Sequence, residues 1–126
     1  MRDMQERTLI SVVDDDVSSR ESLPDLLRTF GFAAVPFASA EAFLASDMLA
    51  DTQCLILDVS MPGMSGPQLQ GELSRRELHI PIIFITGHAD RDLRASLLAR
   101  GAVECLFKPF SENDLRAALE YAVGAA

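Results

Sequence analysis

An unbroken apolar run that ends in one carboxylate most limits what this chain can fold into. Residues Cys54-Leu55-Ile56-Leu57 lead directly into Asp58, and a loop rich in turn-forming residues follows. An apolar run of this length between turn signals indicates a strand that is buried on both faces. Asp58 then lies where the strand ends and its loop begins. In open parallel sheets ligands and reactive groups gather at this edge, although from this run alone Asp58 could equally be a cap for the next turn.

Other strand-like segments alternate with helical ones along the chain. Four further runs favour strands: residues 8–13, 32–37, 80–85 and 103–107. Pro36 should place the second strand at a sheet edge, because proline cannot donate to a strand ladder. Pro24 falls inside the first helical pattern, so that helix should be kinked there or irregular in its first turns. Five strands that alternate with five helices are typical of an α/β fold with a parallel sheet covered on both faces.

Composition limits the class of protein further. A chain of 126 residues, 48% hydrophobic and 24% charged, suits one globular domain, which we expect over residues 1–126 with a polar N-terminal extension at 1–7. The net charge of −8 argues against direct nucleic-acid binding, which needs a basic face. The sequence contains neither a signal-peptide core nor an apolar run that could span a bilayer, so we expect a cytoplasmic protein without a membrane partner.

Polar side chains follow four of the predicted strands. Asp14 and Asp15 come after the first, Asp58 after the third, Thr86 after the fourth and Lys108 after the fifth. These side chains should meet at one edge of the sheet. Three neighbouring carboxylates call for a hard divalent cation, and a donor set without His or Cys favours Mg²⁺. A carboxylate beside such an ion can attack phosphorus to give an acyl phosphate, while the ammonium and hydroxyl groups neutralise phosphoryl oxygens.

Four segments, in order along the chain, resemble the receiver domain of two-component response regulators, most closely receivers of the nitrogen-fixation type. They are Val13-Asp14-Asp15, the run Leu57 to Gly66, Ile85-Thr86-Gly87 and Lys108-Pro109-Phe110. The resemblance covers nearly the whole chain. It implies a flavodoxin-like receiver fold: a doubly wound, five-stranded parallel sheet with strand order 2-1-3-4-5 and five helices.

The resemblance also implies a role for each acidic residue. Asp58 would accept a phosphoryl group from a sensor histidine kinase or a phosphotransfer protein. Asp15 and Asp58 would bind Mg²⁺ through their side chains and Ser60 through its backbone carbonyl. Asp14 would help to bind the ion directly or through water.

At the last two strands the resemblance implies that Thr86 and Lys108 contact the phosphoryl group, and that the Lys108–Pro109 peptide bond is cis. Receivers commonly carry an aromatic residue three positions before the lysine, and it turns inward as the threonine moves. This chain has Cys105 there. We expect Phe107 to lie on the other face of the strand by alternation, which would make it a poor substitute.

The function that follows is a phosphoacceptor signalling domain rather than an enzyme. Phosphorylation of Asp58 would change binding to an output domain or partner protein at the face of the last two helices. The alternative is a receiver-fold interaction module that binds partners whatever its phosphorylation state, which Cys105 leaves open. A phosphohydrolase with an aspartyl nucleophile ranks last, because that family typically has a second Asp where this chain has Ser60.

Overall fold

The predicted doubly wound fold is confirmed by a computed structural model that describes residues 7–124. The predicted polar extension at residues 1–7 therefore lies outside the described residues except for its last position. The strands are β1 (Leu9–Val13), β2 (Ala33–Phe37), β3 (Cys54–Asp58), β4 (Ile82–Thr86) and β5 (Glu104–Phe107). The helices are α1 (Val17–Thr29), α2 (Ala40–Leu44), α3 (Gly66–Arg75), α4 (Arg91–Ala99) and α5 (Glu112–Gly124), with a short 3₁₀ turn at Leu49–Asp51. The sheet is parallel, in the order β2-β1-β3-β4-β5.

Pro36 and Pro24 have different effects on the elements that contain them. Pro36 lies in β2, which is an edge strand as predicted. Pro24 lies inside α1 and is buried. Helix α1 is nevertheless continuous from Val17 to Thr29, and Asp16 caps it by accepting a hydrogen bond from the backbone N–H of Ser19 at 3.1 Å. The alternative of irregular first turns is therefore wrong, and the helix continues through the proline.

Helices cover the sheet on both faces, and β3 runs through the centre. Its residues Cys54 to Leu57 are completely buried. Cys54 and Ile56 pack in the cluster under α1 and α5, whereas Leu55 and Leu57 pack in the cluster under α2, α3 and α4. Because successive side chains of a strand point to opposite faces, a strand covered on both sides is apolar at every position. This explains the unbroken run in the sequence. Over residues 7–124, no helix is both long enough and apolar enough to cross a membrane.

The prediction that Phe107 lies on the opposite face of β5 from Cys105 is wrong. Cys105 is buried in the cluster under α4, and Phe107 packs against that same cluster. Leu106, which lies between them, packs against the other cluster under α5. Residues two apart on a strand share a face, so Cys105 and Phe107 point the same way.

Candidate functional site

Three carboxylates from two neighbouring strands meet at the carboxyl edge of the sheet. Val13 of β1 is in register with Leu57 of β3, so the residues that follow β1 lie level with Asp58 at the end of β3. One carboxylate oxygen from each of Asp14, Asp15 and Asp58 lies within 4.8 Å of the others. Asp14 is fully buried, Asp58 is 8% exposed and Asp15 is exposed. The fold therefore brings together the three acids that the sequence pattern predicts to converge.

Lys108 joins the carboxylate cluster from the edge strand β5. It follows β5, and its Nζ lies 3.3 Å from Oδ2 of Asp14. The other carboxylate oxygen of Asp14 accepts a hydrogen bond from the backbone N–H of Asp16 at 2.9 Å. A fully buried carboxylate is costly unless it is paired and hydrogen-bonded, and Asp14 is both. The Lys108–Pro109 peptide bond is cis, as expected.

The surroundings of Asp58 disfavour its ionised form. Burial and, after it, the nearby charge of Asp14 raise the pKa of Asp58 from 3.8 to about 7, although the ammonium group of Lys108 opposes the rise. A cation that entered the carboxylate cluster would favour the ionised form. The donor set is made of oxygen atoms alone, with three acidic side chains and neither His nor Cys among them. Such a set fits a hard ion such as Mg²⁺ better than zinc.

Asp16 takes no part in this cluster, although it is the third acid of a run of three. Its carboxylate accepts hydrogen bonds from the backbone N–H and the hydroxyl of Ser19, both at 3.1 Å. These bonds lower the pKa of Asp16, with the backbone bond contributing most. Asp16 is thus the N-cap of α1.

Thr86 lies at the end of β4, between the acidic cluster and β5. It is 2% exposed, and its Oγ1 accepts a hydrogen bond from the backbone N–H of His88 at 3.1 Å. Ile85, the residue before it, is in register with Asp58. Ser60 is exposed in the loop that follows β3, and the role of its carbonyl group stays a prediction.

Gly66, the first residue of α3, lies against the site but was not predicted as one of its residues. The backbone N–H of Gly66 donates to the carbonyl of Val59 at 3.0 Å. A Cβ atom on Gly66 would collide with the backbone carbonyl oxygen of Asp58 and lie 3.0 Å from the ring of Phe84. The start of α3 therefore packs directly against the strand end that carries Asp58. Its sequence signal is the Ser65-Gly66-Pro67 segment, in which glycine allows the close approach.

Known proteins resemble this chain over most of its length. The family model described as the response regulator receiver domain matches residues 10–120. The chain is 47% identical over 109 residues to nodulation protein W of Bradyrhizobium diazoefficiens, an alignment that covers 86% of this chain and 48% of that protein. It is 40% identical over 121 residues to the transcriptional regulatory protein FixJ of Azorhizobium caulinodans, covering 96% and 57%. The chain therefore spans about half the length of these relatives.

Solved structures of receivers superimpose on the fold. A crystal structure of FixJ-N is 36% identical, with a TM-score of 0.85, and the match covers 100% of this chain and 98% of that one. The response regulator StyR is 42% identical, with a TM-score of 0.86, over 94% of this chain and 60% of that one. The family model covers most of the chain, and the relatives and the fold agree with it. The chain therefore belongs to the receiver domains of two-component response regulators.

Proposed function

We propose that this receiver is a Mg²⁺-dependent phosphoacceptor that takes a phosphoryl group from a sensor histidine kinase or a phosphotransfer protein onto Asp58. The observation that carries the proposal is the convergence of Asp14, Asp15 and Asp58 within 4.8 Å, with Lys108 paired to Asp14 beside them. Structural stability alone does not account for three carboxylates collected at one sheet edge, because like charges at this distance repel each other.

In this proposal Asp15 and Asp58 hold the ion with their side chains, Ser60 contributes its backbone carbonyl, and Asp14 binds directly or through water. When bound, the ion neutralises charge on the transferring phosphoryl group. Asp58 is the nucleophile, and it must be ionised to attack. Burial and the charge of Asp14, which together raise the pKa of Asp58 to about 7, oppose this ionisation, and positive charge held at the carboxylate cluster would favour it.

During transfer, a carboxylate oxygen of Asp58 forms a bond to phosphorus as the bond between phosphorus and the donor histidine breaks. The electron pair of the broken bond stays on the imidazole nitrogen, and an aspartyl phosphate remains on the receiver. The Lys108 ammonium group and the Thr86 hydroxyl group donate to phosphoryl oxygens. Lys108 is already held beside the acidic cluster by Asp14, so it needs little rearrangement to reach a phosphoryl group there.

The domain acts as a switch rather than as a turnover enzyme, because its own side chains promote one phosphorylation and its later hydrolysis. The new charge at Asp58 would change binding to an output domain or partner protein at the face of α4 and α5. The histidine kinase or phosphotransfer protein that donates the phosphoryl group would meet the domain in the cytoplasm. The net charge of −8 does not suit direct binding of the domain to nucleic acid.

Intact-mass measurement tests the proposal. The protein is incubated with Mg²⁺ and acetyl phosphate, and in parallel with a phosphorylated histidine phosphotransfer domain. We expect a gain of one phosphoryl group that is lost with EDTA and in Asp58→Asn. Replacement of an exposed acid far from the cluster, Asp51→Asn, should retain the gain. Absence of the adduct with both donors would overturn the proposal.

The same experiment separates the other two functions. An interaction module that works without phosphorylation would show no adduct, and the buried Cys105 at the usual aromatic position is the observation that favours it. A phosphohydrolase would release phosphate continuously while the mass of the protein stayed unchanged.

A further inference from the structure

We propose that Phe107 is the side chain that responds when Thr86 moves, so that the ring of Phe107 reports phosphorylation of Asp58 to the surface. This inference rests on the proposed phosphoacceptor function and assigns its readout to a residue that the family pattern does not mark. Three features of the structure support it: β4, which carries Thr86, lies between β3 and β5, residue 105 has a small side chain, and an ion pair links α4 to β5.

Thr86 lies between the phosphorylation site and Phe107. The strand order places β4 between β3, which carries Asp58, and β5, which carries Phe107. Thr86 and Phe107 are direct register partners, so their side chains share a face, and neighbouring strands are only about 4.8 Å apart. A phosphoryl group on Asp58 that accepts a hydrogen bond from the Thr86 hydroxyl draws this side chain toward β3. That movement takes it away from β5 and opens space beside Phe107.

Cys105 is badly placed to use that space. It is 3% exposed, and its register partner is Phe84, which is completely buried. It also lies two residues farther back along β5, a distance of about 6.6 Å. A thiol is short and has little surface to move. Phe107, in contrast, is half-buried, with part of its ring against the core cluster under α4. Its ring can gain burial by moving toward the space that Thr86 leaves, and burial of an aromatic ring is favourable.

An ion pair links helix α4 to β5 close to Phe107. Arg94 of α4 pairs with Glu104 of β5, with 2.5 Å between Nη2 and Oε1. The same carboxylate oxygen accepts the backbone N–H of Cys105 at 2.9 Å. The first contact joins the helix to the strand, and the second holds the Glu104 carboxylate against its own strand just before Phe107. With Glu104 and Cys105 held by these contacts, we expect a displacement of Thr86 to act on the Phe107 side chain rather than on the backbone that precedes it.

The proposal can be tested with a tryptophan reporter, since the chain has no tryptophan of its own. Phe107→Trp places the reporter at the proposed position. Phe110→Trp is the matched control, because Phe110 is also half-buried but packs against the cluster on the other face. Each variant is treated with Mg²⁺ and acetyl phosphate, and its phosphorylation is measured by intact mass in the same sample. We expect a blue shift and a loss of acrylamide quenching at position 107, and no change at position 110.

Two changes in the Phe107→Trp background test the path. Thr86→Val removes the hydroxyl group at nearly constant volume and should abolish the emission shift in molecules that still carry a phosphoryl group. Thr86→Ser keeps the hydroxyl and should restore the shift. Cys105→Ala should leave the shift intact. A shift that needs Cys105, or that persists in phosphorylated Thr86→Val, would overturn the inference.

The outcomes separate this inference from the proposed function. Absence of the phosphoryl adduct in the wild-type protein overturns the proposed function itself. A phosphorylated protein with unchanged emission at position 107, or with equal shifts at 107 and 110, overturns the role of Phe107 alone. If Phe107→Trp does not fold, the ring NMR signals of Phe107 in the wild-type protein give the same readout. Phe107→Leu assigns those signals by their loss.

Discussion

Replacement of Asp58 by asparagine should stabilise the metal-free protein, and the gain should grow with pH. Burial, followed by the charge of Asp14, raises the pKa of Asp58 from 3.8 to about 7 in the folded state. Because this pKa lies above that of the unfolded chain, the folded state keeps a proton that the unfolded state has already lost. The wild-type protein therefore loses stability as the pH rises from about 4 to about 7, and above that the loss is complete.

The size of the effect follows from the same pKa. A rise from 3.8 to about 7 corresponds to about 4 kcal/mol of folding free energy once Asp58 is ionised. This value is a ceiling, because water that reaches the site screens the charge. We expect Asp58→Asn to gain about 1 to 4 kcal/mol at about pH 8 and clearly less at about pH 5. Asparagine nearly matches the size of aspartate, so lost packing should not mask the gain.

Urea unfolding at about pH 5 and about pH 8, with EDTA present, measures the difference. Asp51→Asn is the control, since Asp51 is exposed and distant from the cluster, and it should show no such pH dependence. Addition of Mg²⁺ should stabilise the wild-type protein more than Asp58→Asn, because the variant has lost one carboxylate of the site. Equal gains at both pH values, or a loss of stability in Asp58→Asn at the higher pH, would refute the electrostatic reasoning.

Three further predictions test the packing around the site. Gly66→Ala should cost about 1 to 3 kcal/mol, because its Cβ would collide with the Asp58 carbonyl. In the same helix, Gly71→Ala meets nothing within 4 Å and should gain about 0.5 to 1 kcal/mol, both measured by urea unfolding. Ile56→Ala should cost about 2 to 5 kcal/mol in the buried centre of β3, whereas Val17→Ala at a site 57% exposed should change stability little. Burial raises the pKa of Cys54 to about 12, so a thiol reagent should label Cys54 only as fast as the protein unfolds. Rapid labelling of Cys54 in the native protein, distinguished from Cys105 by peptide mass mapping, would show that β3 opens locally.

Sequence patterns predicted the secondary structure well where a run of residues is compatible with only one environment in the fold. The run from Cys54 to Leu57 predicted a strand buried on both faces, because a side chain on either side of such a strand must be apolar. The strand ends were less predictable. The fourth strand was expected from Ile80 but begins at Ile82, since its pairing depends on the neighbouring strand: the N–H of Leu55 reaches the carbonyl of Pro81, and Leu55 is in register with Ile82.

The sequence by itself determined that acidic, hydroxyl and ammonium groups would follow the strands of a parallel sheet, and so would gather at one edge. Only the tertiary structure decided how the two adjacent acids differ: Asp14 is fully buried and paired with Lys108, whereas Asp15 is exposed. It also decided that burial and Asp14 raise the pKa of Asp58, and that Phe107 lies beside Thr86. Local patterns reflect the neighbours of a residue along the chain, but desolvation and charge interactions depend on distances between segments that are far apart in sequence, and packing sets those distances.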